Sequence, residues 1–151
     1  MKKREFKGSV LLNPVPVVMI TCRNKEGKEN VFTVAWTGTI CTKPPMLSIS
    51  IRPERLSYEY IKETMEFTVN MPHRKQTRET DFCGVRSGRQ LDKIKECGFT
   101  MAEGKDVNVP FIKELKRMVL SGNLSWSWNS FLGDSFISAY SYYTIFNPFA
   151  W

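Results

Sequence analysis

With 151 residues, 42% hydrophobic and 25% charged, the chain can build one globular domain with a real core and is too short for two. Its 22 Lys and Arg outnumber 15 Asp and Glu, and the resulting +7 suits an anionic partner: nucleic acid, an acidic protein or a phosphorylated small molecule. Four cysteines without a CxxC pair and one histidine, His73, exclude the usual zinc and thioredoxin-like spacings and point to a reducing, cytoplasmic setting.

The opening MKKREFKGSVLLNPVPVVMITC superficially copies a secretory signal. Pro14 and Pro16 break the helix such a signal needs, Asn13 interrupts its apolar run and Glu5 spoils its basic head, so the segment reads as mature chain. No apolar run reaches the roughly 18 residues of a membrane span. Val15 to Cys22 is a continuous β-branched run, the pattern of a buried strand, and RNKEGKEN with Gly27 follows as a hairpin turn. Val31 to Thr39 favours a strand by its Val, Phe, Thr and Trp content. Pro44 and Pro45 impose an extended entry into Met46 to Ile51, where Leu47, Ile49 and Ile51 alternate with Met46, Ser48 and Ser50.

The period then changes. Ser57 is placed to cap a helix of about two turns whose stripe is Tyr58, Ile61 and Met65. Phe67 to Met71 returns to strand and stops at Pro72. Two short helices are predicted around Lys75 to Cys83 and Leu91 to Cys97, with Gly98 as the left-handed stop of the second. From Met118 onward only Asp134 is charged and aromatics crowd together; LSWSWNSF and SFISAYSYY alternate like the closing pair of an antiparallel barrel. With no repeat and no linker, residues 1–151 read as a single domain.

Three groups of residues could carry chemistry. Asn30 and Trp36 would share a face if one strand joined them, and Thr37, Gly38 and Thr39 offer hydroxyls and close backbone approach. Strand propensity alone would explain the same composition. Arg52, Arg55 and Ser57 precede a predicted helix, a set equally suited to cradling a phosphate or to an ordinary cap with solvated arginines. The run VRSGRQLDKIKECG places Arg86, Arg89, Lys93 and Lys95 near flexible glycines, where a lysine can neutralise a phosphate or an anionic ring; most basic runs are merely solvated faces. His73 receives no role.

The ordered blocks NPVPVVMIT, ENVFTVAWTGTICTKPPMLSISIRPERLSYEYI, EFTVNMP and CGVRSGRQLDKIKECG resemble the flavin reductase-like family of FMN-binding split barrels, in particular its flavoredoxin branch. The match runs from about Asn13 to Pro110. It implies a mainly β fold with short helices, a Greek-key antiparallel split barrel that forms a homodimer. It also implies FMN near the dimer interface, and electron transfer between the flavin and NAD(P)H or a redox protein partner. By this resemblance Asn30 and Trp36 flank the isoalloxazine or ribityl chain, Ser57 bonds the phosphate and Lys93 contacts the flavin region. Thr37, Arg52 and Arg55 are looser neighbours of those positions.

The tail departs from the family pattern from about residue 117 to 151. Ser135 stands where a histidine near the flavin is expected, and two readings stay open: a shortened, diverged member, or a changed reading frame after about Lys116. A flavin brings its own two-electron chemistry, which agrees with the lack of a sequence pattern for a nucleophile, a carboxylate pair or a metal cluster. Two other function classes compete. One is a flavin-binding or sensor module without catalysis; the other is a basic β-barrel on nucleic acid, disfavoured because the basic clusters are dispersed.

Overall fold

The computed structural model describes residues 14–43, 45–104, 107–120, 124–129, 134–140 and 144–145, with side chains described only as far as residue 116 and not at Pro45. The reading of the basic leader up to Asn13 and the entry at Pro44 lie outside these residues. Among the described residues the strands follow in chain order: β1 (Val18–Arg23), β2 (Glu29–Val34), β3 (Thr37–Thr42), β4 (Pro45–Ile51), β5 (Phe67–Met71), β6 (Met101–Ala102), β7 (Phe111–Ile112), β8 (Lys116–Leu120), β9 (Leu124–Asn129), β10 (Asp134–Tyr140) and β11 (Thr144–Ile145). The helices are α1 (Leu56–Thr64), α2 (Thr77–Val85), preceded by a 3-10 turn at Arg74–Gln76, and α3 (Lys93–Cys97).

The strands form a five-stranded sheet ordered β11-β8-β5-β1-β2, a four-stranded sheet ordered β3-β4-β10-β9 and the small pair β6-β7. All their pairings are antiparallel. The architecture is therefore mainly β with short helices, as expected, and the sheets remain open. The two alternating segments of the tail do pair as β9 and β10, and β10 also lies against β4.

The run VMITC is continuously apolar because β1 is covered on both faces. Val18, Ile20 and Cys22 join one core with Leu47, Ile49, Ile61 and Phe67. Met19 faces a second core with Val31, Cys83, Ile112 and Leu115. The β1–β2 turn closes at Gly27, whose φ of 86° favours glycine, and Gly27 N–H donates to the Asn24 carbonyl at 3.0 Å. In β4, Leu47, Ile49 and Ile51 are buried while Met46, Ser48 and Ser50 are half-buried, which reproduces the predicted alternation.

Several expectations change. The predicted strand from Val31 to Thr39 is two strands, broken at Ala35 and Trp36, where the Ser50 N–H donates to the Trp36 carbonyl at 2.9 Å. The corner lets the chain leave one sheet and enter the other. Ser57 does not cap α1: Arg55 holds that position without a side-chain bond, and Ser57 is already inside the helix. Of the predicted stripe, Ile61 is buried and Tyr58 packs partly buried against the first core, but Met65 ends the helix at φ 60°, and Ser57 and Tyr60 join the buried face. The helix expected over Leu91 to Cys97 begins only at Lys93, because the Asp92 carboxylate accepts from the N–H groups of Ile94 and Lys95, both at 3.1 Å. Gly98 ends it at φ 65°, as predicted.

Candidate functional site

A cavity of about 270 Å³ opens where the two sheets part. One wall is β2 with the Ala35–Trp36 corner; another is the end of β4, the Arg52–Arg55 turn and the first turn of α1. The end of α2, the Arg86–Gly88 loop and Lys93 at the start of α3 complete it. Asn30, Trp36, Arg52, Arg55, Ser57 and Lys93 thus come together from three separate stretches of chain. Thr37 does not join them, for it is not in the wall and its hydroxyl donates to the Ser48 carbonyl at 2.9 Å. Trp36 and Asn30 reach the cavity by way of the strand break, not by sharing the face of one continuous strand.

At the floor, the Asn30 amide donates to Ser57 Oγ at 2.8 Å, and both side chains are buried. That bond uses Ser57 as an acceptor and leaves its hydroxyl proton for a further partner. Ser57 also lies in the first turn of α1, where backbone N–H groups lack intrahelical acceptors and the helix dipole favours negative charge. Gly88 presses on Asn30 from the other side. A Cβ there would clash with Asn30 Oδ1, so any larger residue would require the Asn30 amide or the loop to shift.

Lys93 is the electrostatic centre of the site. It is 3% exposed, and its ammonium donates to the Cys83 carbonyl at 3.3 Å. Among the described residues no carboxylate forms an ion pair with it. Burial therefore pulls its pKa down, and nearby Arg55 adds to that effect, while the thiols of Cys83 and Cys22 oppose it. The thiol of Cys22, beneath the cavity, is pushed up to about 12 by burial, with Ser57 and Lys93 acting against the shift. Arg52, Arg55 and Arg86 stand exposed at the rim; Arg52 pairs with Glu54 at 3.1 Å.

The arrangement offers a buried cation with neutral partners, a paired amide and hydroxyl, a helix start and a guanidinium rim. Such a set can hold an anionic group and, beside the Trp36 indole, a flat ring. Sequence reasoning passed over Cys83, Phe32, Thr33 and Gly88 as wall residues. The pair Gly84 and Gly88 around Arg86 was the signal available for the loop, whereas the wall positions on β2 needed the sheet geometry.

Residues 11–121 match the family model described as flavin reductase like domain. A curated relative, an uncharacterized protein of Pyrococcus abyssi, is 28% identical over 109 residues, covering 72% of this chain and 62% of its own. Among solved structures, the flavoredoxin from Methanosarcina acetivorans has a TM-score of 0.80 at 25% identity, over 93% of this chain and 73% of that one. An FMN-binding protein from Thermus thermophilus has a TM-score of 0.74 at 17% identity, over 93% of this chain and 78% of that one, a likeness of fold. The chain spans between 41% and 62% of the length of the curated relatives it matches.

Proposed function

The chain belongs to the flavin reductase like domain family and has its split-barrel fold, and from that premise we propose that it binds FMN in the cavity and passes electrons between NAD(P)H, or a redox protein, and the flavin. The observation that carries this reading is Lys93: a buried ammonium with a neutral carbonyl acceptor is stabilised by an anion placed beside it. The flavin would supply the two-electron chemistry when bound.

The protein's part is to hold and orient. Ser57, the first turn of α1 and the rim arginines Arg52 and Arg55 suit a phosphate. Asn30 and Trp36 border the space available to the ring or ribityl chain, and Lys93 favours negative charge that develops nearby. Trp36 is 46% exposed and Ile40 48% exposed, both at or next to the edge strand β3. We propose that a second copy covers this apolar edge and with it the open side of the cavity.

The test is direct. The purified protein should be yellow and release a species with the mass of FMN, and a colourless protein that ignores added FMN refutes the reading. Anaerobic mixing of the loaded protein with NADH or NADPH should bleach the flavin. A loaded protein bleached by neither takes no electrons from a nicotinamide, which leaves a redox protein as donor or a flavin-binding module without catalysis. Sedimentation should give a dimer that Ile40→Glu weakens; a monomer throughout would remove the second copy from the proposal.

A further inference from the structure

Cys83 and Cys97 stand 14 positions apart in sequence, and their sulfurs lie 3.8 Å from each other. Cys83 is in the last turn of α2 and Cys97 is the final residue of α3. Their surroundings differ. Cys83 is buried and contributes to the wall of the cavity described above. Cys97 is half-buried and lines a separate outer groove with Arg78, Glu79, Phe82 and Glu96. Both belong to the second core, Cys83 within it and Cys97 packed against it, while the Cys83 residue borders the cavity and Cys97 borders the outer groove.

A disulfide needs its sulfurs about 2.0 Å apart, so the remaining gap is on the scale of a side-chain rotation. Lys93 donates from α3 to the Cys83 carbonyl on α2 and holds the two helices in this relation. The other cysteines have other surroundings: Cys22 lies in the core on β1 and its thiol meets the Asn30 carbonyl, while Cys41 on β3 meets the Lys43 carbonyl.

We propose that Cys83 and Cys97 are a redox-active dithiol that carries two electrons between the flavin cavity and a disulfide substrate in the outer groove. The inner half of this relay rests on the FMN reading; the dithiol itself does not. In the outer step, the Cys97 thiolate attacks a substrate disulfide and expels one thiolate. Cys83 then attacks Cys97 in the mixed disulfide and expels the second. The Cys83–Cys97 bond forms, the substrate gains two electrons, and the two thiol protons leave with its two sulfurs. In the inner step, the Cys83–Cys97 bond would take two electrons and two protons from reduced FMN, when that group is bound, and would break to two thiols with the flavin left oxidised.

Burial pushes the Cys83 thiol up to about 12 and raises that of Cys97 as well, with the Lys93 charge opposing both shifts. Exchange is accordingly faster in alkaline buffer, because the thiolate is the attacking form. Thiolates that the fold does not stabilise also make the dithiol the more reducing partner, the opposite of a strong oxidant whose reduced form is stabilised.

The first experiment uses flavin-free protein and oxidised glutathione in mildly alkaline buffer. Of the four cysteines, two should lose their thiols, the mass should fall by two hydrogens, and a proteolytic fragment should join Cys83 to Cys97. Cys83→Ser should instead trap glutathione on Cys97. Retention of all four thiols in the folded wild-type protein, or a bond that uses Cys22 or Cys41, overturns the proposal whatever the fate of the FMN reading. The second experiment photoreduces FMN bound to the disulfide form without oxygen, then turns off the light. Oxidised flavin should return, one per disulfide, with two new thiols, and Cys97→Ser should stay bleached. A disulfide protein whose flavin also stays bleached overturns the relay.

Discussion

At Lys93 a buried charge and a carbonyl acceptor set up a conflict that pH can read. Its folded pKa lies below the ordinary 10.5, so between those two values the unfolded chain binds more protons than the native one, and stability rises with pH across that window. Binding of an anion favours the charged ammonium, so FMN affinity should fall as pH climbs above the free protein's lowered value. Lys93→Met should flatten both trends, weaken FMN binding roughly tenfold or more, as loss of a charge-assisted contact does, and leave the free protein at least as stable. Titration of fluorescence quenching and urea melts across alkaline pH would separate these effects; a variant that loses stability but keeps its affinity would contradict them. Gly88→Ala belongs to the same scale. Its methyl would clash with Asn30 Oδ1, so the Asn30 amide or the loop must shift, and overpacking of this kind costs about 1–3 kcal/mol. Chemical denaturation should register the loss, and the Asn30–Ser57 pair should no longer hold the ligand as tightly. Sequence alone identified Asn30, Ser57 and Lys93 as candidates because of their block order. It could not place Gly88 on Asn30, since 58 positions separate them and only the folded loop closes that distance.

At the level of elements, α3 is five residues long and depends on its ends. Such a helix is too short to persist on its own propensity; Asp92 caps it with two bonds and Gly98 closes it at φ 65°. Asp92→Ala should cost about 1 kcal/mol and Gly98→Ala about 1–2 kcal/mol, the penalty of a left-handed L-residue. Because Lys93 is the first residue of that helix, both changes should also weaken FMN binding, measured alongside urea unfolding. Unchanged affinity in both would mean that the cavity, not the helix, orients the lysine. The end of α3 was readable because glycine at a helix stop has a local signature. The corner at Ala35 and Trp36 was not, because Val31 to Thr39 is rich in strand formers throughout and the break is set by which sheet receives each half. Likewise α1 buries Ser57 and Tyr60 beside the predicted Ile61, since the helix lies against β1 and β2 in a way its own stripe encodes only in part. The two tail segments were legible as strands by alternation, but their seat beside β4 was a matter of pairing between distant parts of the chain.

For the whole molecule, the question is what ties the segment after α3 to the five-stranded sheet, and the buried Asn70 supplies the tie. From the middle strand β5, its amide donates to the Met19 carbonyl at 3.2 Å and to Thr21 Oγ1 at 3.1 Å, while its Oδ1 accepts from the Ile112 N–H at 2.9 Å. Thr21 in turn donates to the Pro110 carbonyl at 2.6 Å. One fully buried side chain thus links β5, β1 and β7, and through β7 it fixes the cover over the Met19 core. Replacement by Val removes the acceptor of a buried N–H, which costs about 1–3 kcal/mol, and it also removes the amide that donates to the Met19 carbonyl and Thr21 Oγ1. Asn70→Val should therefore lower the urea midpoint and open the stretch around Pro110 to proteolysis or fast amide exchange. Asn70 is absent from the cavity wall, so FMN affinity of the folded fraction should change little. A loss of affinity with unchanged stability would show that the sheet reaches the site through this asparagine; the opposite pattern fits a network that holds the cover in place and leaves the site to its own loops.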